Sequence, residues 1–405
     1  MTRKLLRQRE THLKGRVGLI LMSITLLAII IAVVVNRHWI LLPPKNSENI
    51  ESFTSTHQTD PGKTGHHFLP LKKPSEWRPW STQLNEGPVQ CSYGYGSLFC
   101  ASQNGNITSL DASRGTVLWS KKVSGSVSAP PIIVNDLLVI VSDGISLQVL
   151  QSGTGRELWS FSPGGRIATP VIDGPNTYFT SSRGFLYSVE LSSGRLVWRS
   201  PVKSDPGPVA VAGGRIFLVT ADSSLIATSA STGATIWRVP IGGNRGTKSW
   251  CRSPVATESN VTCLSDEKTV RSFDSNTGED RWVFRMSEPS DGMLSVGPHH
   301  TYAMGKEGRL YAINSSTGRQ LWSVKVTDCG SVSPVLYGKT LFLGSRSGNL
   351  VALNSATGAW MFVIPPSSHG ASSPMGQAPL IGADFFLTSS ENGAVFSKSL
   401  TLEQS

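Results

Sequence analysis

The chain has 405 residues and a formal net charge of +10, a surplus that would suit nucleic acid or a membrane surface. Seven of its Lys and Arg residues, against the single Glu10, fall within residues 1–42, and the remaining 30 basic and 26 acidic residues leave only +4. No basic stripe of the kind that tracks a phosphate backbone remains, which excludes nucleic-acid binding as a leading reading.

In chain order, residues 1–16 form a basic segment, and Val17 to Val35 reads VGLILMSITLLAIIIAVVV, nineteen residues without a charge. A helix of that length crosses a hydrocarbon core of about 30 Å. The basic cluster ahead of it predicts a cytoplasmic N-terminus, with the bulk of the chain on the far side of the cytoplasmic membrane. A cleaved signal peptide would carry a shorter apolar run and a small-residue cleavage site. The flank here is Asn36, Arg37, His38 and Trp39, so the segment reads as an uncleaved, single-pass anchor. No cysteine follows it, so no lipid-attachment site is visible. Residues 36–76 are polar and interrupted by Pro43, Pro44, Pro61, Gly62, Pro70 and Pro74, which predicts a flexible linker. The adjacent His66 and His67 read as solvated linker residues rather than metal ligands.

From residue 77 to 400 the chain is periodic, and 401–405 form a short tail. A glycine is followed four residues later by tryptophan at Gly115/Trp119, Gly155/Trp159, Gly194/Trp198, Gly233/Trp237, Gly278/Trp282 and Gly318/Trp322. The glycines are 40, 39, 39, 45 and 40 residues apart, and a further 40 brings Gly358, followed by Phe362. A period near 40 made of short apolar runs predicts one four-stranded sheet per repeat, the unit of a β-propeller. In the third unit the runs are ATPVID, TYFTSS, FLYSVE and LVWRS, broken by turn residues. Inner strands are predicted to begin near Pro88, Pro130, Pro170, Pro208, Pro254, Val296, Pro334 and Pro379, giving an all-β fold of eight blades. The eighth lacks its own outer strand. Trp77 and Trp80, the latter 39 residues before Trp119, are predicted to supply it and close the ring.

The turns and tryptophans resemble the AxDxxTGxxxW docking motif of the quinoprotein-like (PQQ-like) propellers. The best copies are AINSSTGRQLW at 312–322 and SFDSNTGEDRW at 272–282, and the resemblance covers residues 80–400. It implies that each tryptophan covers the glycine turn of a neighbouring blade. The family holds quinone-dependent dehydrogenases and also the propeller lipoprotein of the outer-membrane β-barrel assembly machinery, which carries no quinone. Activity of the first kind implies pyrroloquinoline quinone, calcium, an aspartate base and often a pair of adjacent cysteines; that pair is missing here. The loops from one blade's outer strand to the next blade's inner strand would line the cofactor face, and they carry Arg166, Asp205, Arg245, Lys248, Trp250, Asp291, Asp328 and His369. One polar residue per loop is also what any solvated propeller mouth carries.

The single interval of 45 residues contains GGNRGTKSW, residues 242–250. Arg245, Lys248 and Trp250 either form a partner contact, since Arg and Trp favour interface hot spots, or belong to an insertion with Trp250 packed at the next strand. Of the five cysteines, Cys91 and Cys100 face each other across a predicted hairpin, as a disulfide in an oxidising compartment or as buried thiols. Cys251, Cys263 and Cys329 show no metal-binding spacing. With no complete catalytic or cofactor set, the sequence reads as a membrane-anchored, extracytoplasmic protein-interaction scaffold of the cell envelope, with no cofactor or metal. A quinone-dependent oxidoreductase and the ligand-sensing ectodomain of a membrane complex are the alternatives.

Overall fold

The computed structural model describes residues 77–84, 87–127, 129–203, 207–241, 254–290, 294–297, 299–328, 333–365, 379–381 and 385–399, together with the backbone of 54–55 and 66–67. The chain divides into Met1–Ile50 and Glu51–Ser405, and all described residues lie in the second unit. The predicted membrane span at 17–35 lies outside them. Among the described residues no helix is long and apolar enough to cross a membrane.

Eight antiparallel blades follow one another, each ordered from an inner to an outer strand. Blade 3 is representative, with Val171–Asp173, Asn176–Ser181, Phe185–Glu190 and Leu196–Pro201. The two middle strands of each blade are buried along most of their length, while the outer strand of blade 3 alternates between exposed and half-buried. The cause is position. Middle strands lie between two neighbouring blades and need apolar residues on both faces, whereas an outer strand is covered on one side only. The core is therefore a series of interblade clusters. One contains Val171, Tyr178 and Leu186 of blade 3 with Ile216, Leu218 and Ile226 of blade 4.

Blade 8 is composite. Leu380–Ile381, Phe385–Ser389 and Ala394–Ser399 come from the C-terminal end, and Trp80–Gln83 pairs antiparallel with the last of them as the outer strand. The predicted closing strand is thus in place. Trp77 donates its indole N–H to Ser397 Oγ at 2.7 Å and lies 5.5 Å from the Phe385 ring, which adds side-chain contacts to that closure.

Four residues of the stretch read as a linker are paired in the structure. Thr54–Ser55 lies antiparallel to the inner strand Val89–Gly94 of blade 1, and His66–His67 lies parallel to Val335–Tyr337 of blade 7. Inner strands have a free hydrogen-bonding edge, and these short pieces occupy it at two blades.

Candidate interaction surface

The turn before each outer strand follows one plan. In blade 1, Asp111 Oδ1 accepts the N–H groups of Ser113 and Arg114, and the Gly115 N–H donates to the Asp111 carbonyl at 2.7 Å. Burial raises the Asp111 pKa, but the Ser113 and Arg114 hydrogen bonds outweigh it and hold the carboxyl below its ordinary value. The glycines at 115, 155, 194, 233, 278, 318 and 358 all have φ between 68° and 77°, the left-handed region that a Cβ disfavours. The strand pair that follows each of these turns carries a register shift just before the fourth residue after the glycine.

That residue reaches the following blade. Trp80, Trp119, Trp159, Trp198, Trp237, Trp282 and Trp322 donate their indole N–H to the carbonyls of Ala112, Ser152, Leu191, Ala230, Ser275, Ser315 and Ser355, at 2.7–3.2 Å. Each lies against the glycine three residues after that carbonyl, so closely that a Cβ there would come within 2.3–2.9 Å of the tryptophan side chain. Phe362 keeps the contact with its own blade that Trp119, Trp198, Trp237 and Trp322 also make, here with Phe342 at 6.4 Å between ring centroids, and packs beside Ile381, Phe386 and Phe396 of blade 8, but it has no indole N–H to donate.

The propeller mouth is held by similar polar contacts. Asp143 Oδ1 accepts the Ser126 N–H at 2.7 Å, Ser182 Oγ accepts the Arg166 N–H at 3.0 Å, and buried Glu288 accepts the Arg309 N–H at 2.8 Å. Asp328 accepts the N–H and hydroxyl of Ser347, and the hydroxyl's bond is the main reason its carboxyl is held below the ordinary range. Each contact ties the loop leaving one blade to the middle hairpin of the next. Of the predicted mouth residues, Arg166 and Asp328 are exposed and fall on different blade junctions. Asp205, Arg245, Lys248, Trp250, Asp291 and His369 lie outside the described residues, as do Cys251 and Cys329. Asp328 serves as a loop acceptor, and among the described residues no three His, Cys, Asp or Glu side chains converge. Cys91 and Cys100 are joined by a disulfide, and Cys263 is a buried free thiol.

One surface was not singled out by the sequence reading. The outer strand of blade 7, Trp360–Ile364, exposes Trp360 at 47%, Met361 at 51% and Val363 at 41%. The outer strands of blades 1–6 each carry at least one charged residue, such as Lys121, Glu157, Arg199, Arg238, Asp280 or Lys325, whereas WMFVI carries none. Charges on an edge strand resist unwanted pairing, and this strand instead presents three large apolar side chains to solvent. The outer strand of blade 8, Trp80–Gln83, is uncharged too but carries Ser, Thr and Gln, so the signal in the sequence was the one outer strand built of apolar residues alone.

A family model described as outer membrane protein assembly factor BamB matches residues 71–209, 146–247, 182–328 and 249–397. The relative of that name from Moranella endobia (strain PCIT) is 22% identical over 135 residues, covering 31% of this chain and 35% of the relative. The one from Escherichia coli (strain K12) is 28% identical over 111 residues, covering 27% of this chain and 28% of the relative. The alignment thus spans about a third of the length of these curated relatives. Among solved structures, BamB from Moraxella catarrhalis has a TM-score of 0.63 at 18% identity, covering 78% of this chain and 98% of that one. Quinohemoprotein alcohol dehydrogenase from Comamonas testosteroni reaches 0.64 at 11% identity, covering 85% and 80%. These two likenesses show the fold alone. The family match, running from residue 71 to 397 across all eight blades, shows that the chain belongs to the family of the outer membrane protein assembly factor BamB.

Proposed function

We propose that the protein is a noncatalytic protein-interaction scaffold in cell-envelope assembly, held by a helix at residues 17–35, with the propeller outside the cytoplasmic membrane. The observation that carries this reading is the use of the polar groups at the mouth. Asp143, Ser182, Glu288 and Asp328 fix loops to neighbouring blades, and the tryptophan contacts fix blade to blade, so the described polar chemistry is spent on rigidity. We read those indole contacts as tryptophan docking between blades. A rigid ring with variable loops and one wholly apolar outer strand suits a partner better than a reaction. The relatives' name, an assembly factor for outer membrane proteins, agrees with a protein partner. The disulfide agrees with an oxidising compartment, as expected outside the cytoplasmic membrane. No cofactor or metal is assigned.

The test is site-specific photocrosslinking in native membranes, with the probe at Trp360 and, separately, in the 242–250 loop, followed by mass spectrometry. The same envelope protein captured from one of these positions, and not from the outer strand of blade 3, is the expected outcome. No partner above background at either position removes the reading. Dye reduction after adding pyrroloquinoline quinone and calcium would instead establish the oxidoreductase.

A further inference from the structure

Cys91 and Cys100 are directly opposite each other in the first hairpin of blade 1, nine residues apart in sequence, and are 0% and 1% exposed. Their face of the hairpin, with Val89, Tyr93 and Leu98, packs against Leu380, Phe385, Leu387 and Val395 of blade 8, beside Trp77, Trp80 and Leu84. Phe99 and Ala101, on the other face, pack toward Ile133 and Leu138 of blade 2. Everything from outside blade 1 that covers the sulfurs in this cluster therefore comes from the two ends of the propeller chain. Ser389 Oγ donates to the Val89 carbonyl at 2.6 Å and Trp77 to Ser397, which ties those ends together over the hairpin.

We propose that this disulfide is installed before the ring closes, by an external disulfide oxidant, and that docking of blade 8 then seals it against exchange in either direction. The hairpin needs only residues 89–102, whereas its cover needs residues 380–397, which are made long after it. A β-hairpin forms in roughly 1–10 μs, far ahead of any closure that must bring distant chain ends together. Formation follows ordinary exchange. One cysteine thiolate attacks the oxidant's disulfide to give a mixed disulfide, and the second thiolate attacks the cysteine sulfur of that bond and expels the oxidant's thiolate. Two protons and two electrons leave the protein, and the oxidant departs as a dithiol. Each step requires a thiolate and in-line access to sulfur, and the closed seam leaves neither sulfur reachable. The redox state of this pair thus records the compartment in which the ring closed, independently of whether the propeller is a scaffold.

The experiment uses the detergent-solubilised full chain. Dithiothreitol is added in native buffer and in urea, aliquots are alkylated, and the mass shift is followed. Reduction in native buffer slower by roughly 100-fold or more than in urea is expected, because it awaits opening of the seam. Phe385→Ala, which thins the cover, should speed native reduction, while Gly153→Ala in blade 2, where a Cβ meets open space, should leave it unchanged. In a second arm, chain that has been reduced and unfolded receives oxidised glutathione either before or after refolding, with only the first order giving the disulfide. Native reduction as fast as in urea, no effect of Phe385→Ala, or equal oxidation in both orders would each overturn the proposal. If Phe385→Ala or the reduced chain does not fold, the native-versus-urea comparison on the unmodified protein still decides.

Discussion

Blade 3 and blade 8 have the same four-stranded order but different chain origins. Blade 3 is one continuous run from Val171 to Pro201, while blade 8 takes its outer strand, Trp80–Gln83, from the other end of the domain. The difference explains both irregularities of the repeat. Because the last two strands of blade 8 are not consecutive, no glycine turn links them, and the blade preceding it has nothing for a tryptophan to cover. Position 362 is accordingly phenylalanine, while Trp80 covers Gly115 as the other tryptophans cover their glycines. Contact between blades 7 and 8 is made by Phe342, Ile364, Ile381, Phe386 and Phe396, with Lys398 Nζ donating to the Pro365 carbonyl at 3.2 Å.

Deleting residues 77–84 should have the largest effect, because it exposes the edge of Ala394–Ser399 and uncovers the blade 1 and blade 8 cluster. Cooperative thermal unfolding by calorimetry should be lost, and a retained single transition would show that the ring does not depend on this strand. Trp80→Ala should cost about 3 kcal/mol, the lower end for removing a packed tryptophan. Denaturant unfolding should give similar losses for Trp80→Ala and Trp198→Ala if the composite blade is held like the continuous ones.

Glycine substitutions separate backbone strain from contact. Gly155→Ala meets Trp119 at 2.9 Å with φ of 68° and should cost about 2 kcal/mol or more. Gly144→Ala has φ of 64° but open space, so only the left-handed penalty of about 1 kcal/mol remains. Gly153→Ala should fall within about 0.5 kcal/mol of the parent. Equal losses at 155 and 144 by urea titration would mean that the indole contact contributes nothing. Trp198→Phe should lose about 1 kcal/mol with its N–H bond to Ala230, whereas Phe362→Trp should gain no stability, having no glycine turn to cover.

The blades were legible in the sequence because each repeats the same local chemistry. Inner strands were expected near Pro88, Pro170 and Pro379 and begin at Val89, Val171 and Leu380. The closing role of Trp80 was legible from spacing alone, since 39 residues separate it from Trp119. The facing cysteines were legible from symmetric counting about a turn, but burial against blade 8 was not, because it depends on contacts some 300 residues apart. The uses of Glu288 and Asp328 were hidden for the same reason. A carboxylate in a loop looks alike whether it awaits a ligand or accepts a backbone N–H from the next blade. The strand WMFVI is apolar throughout in the sequence, but its exposure depends on its place as an outer strand, which composition alone does not give.

The smallest predicted effect lies in the turns. Asp274 accepts the N–H groups of Asn276 and Thr277 and pairs with Arg281, while Asn314 and Asn354 accept the matching N–H groups in blades 6 and 7 without a charge. The Arg281 hydrogen bond, then those from the two backbone N–H groups, hold the Asp274 carboxyl below its ordinary value of 3.8 despite some opposing burial. A depressed carboxyl adds stability that is fully present above its unfolded pKa and is lost as pH falls through the folded one. Asp274→Asn keeps the turn acceptor, as the natural asparagines show, and removes only the partly exposed ion pair. It should therefore cost a few tenths of a kcal/mol at pH 7. Below about pH 4 the difference between variant and parent should shrink, because protonation removes the same charge from the parent. Thermal unfolding of both from pH 7 down to pH 3 measures this directly. A difference that stays constant across the range would mean that Asp274 acts in the turn through shape, as Asn314 and Asn354 do, and that its charge is incidental.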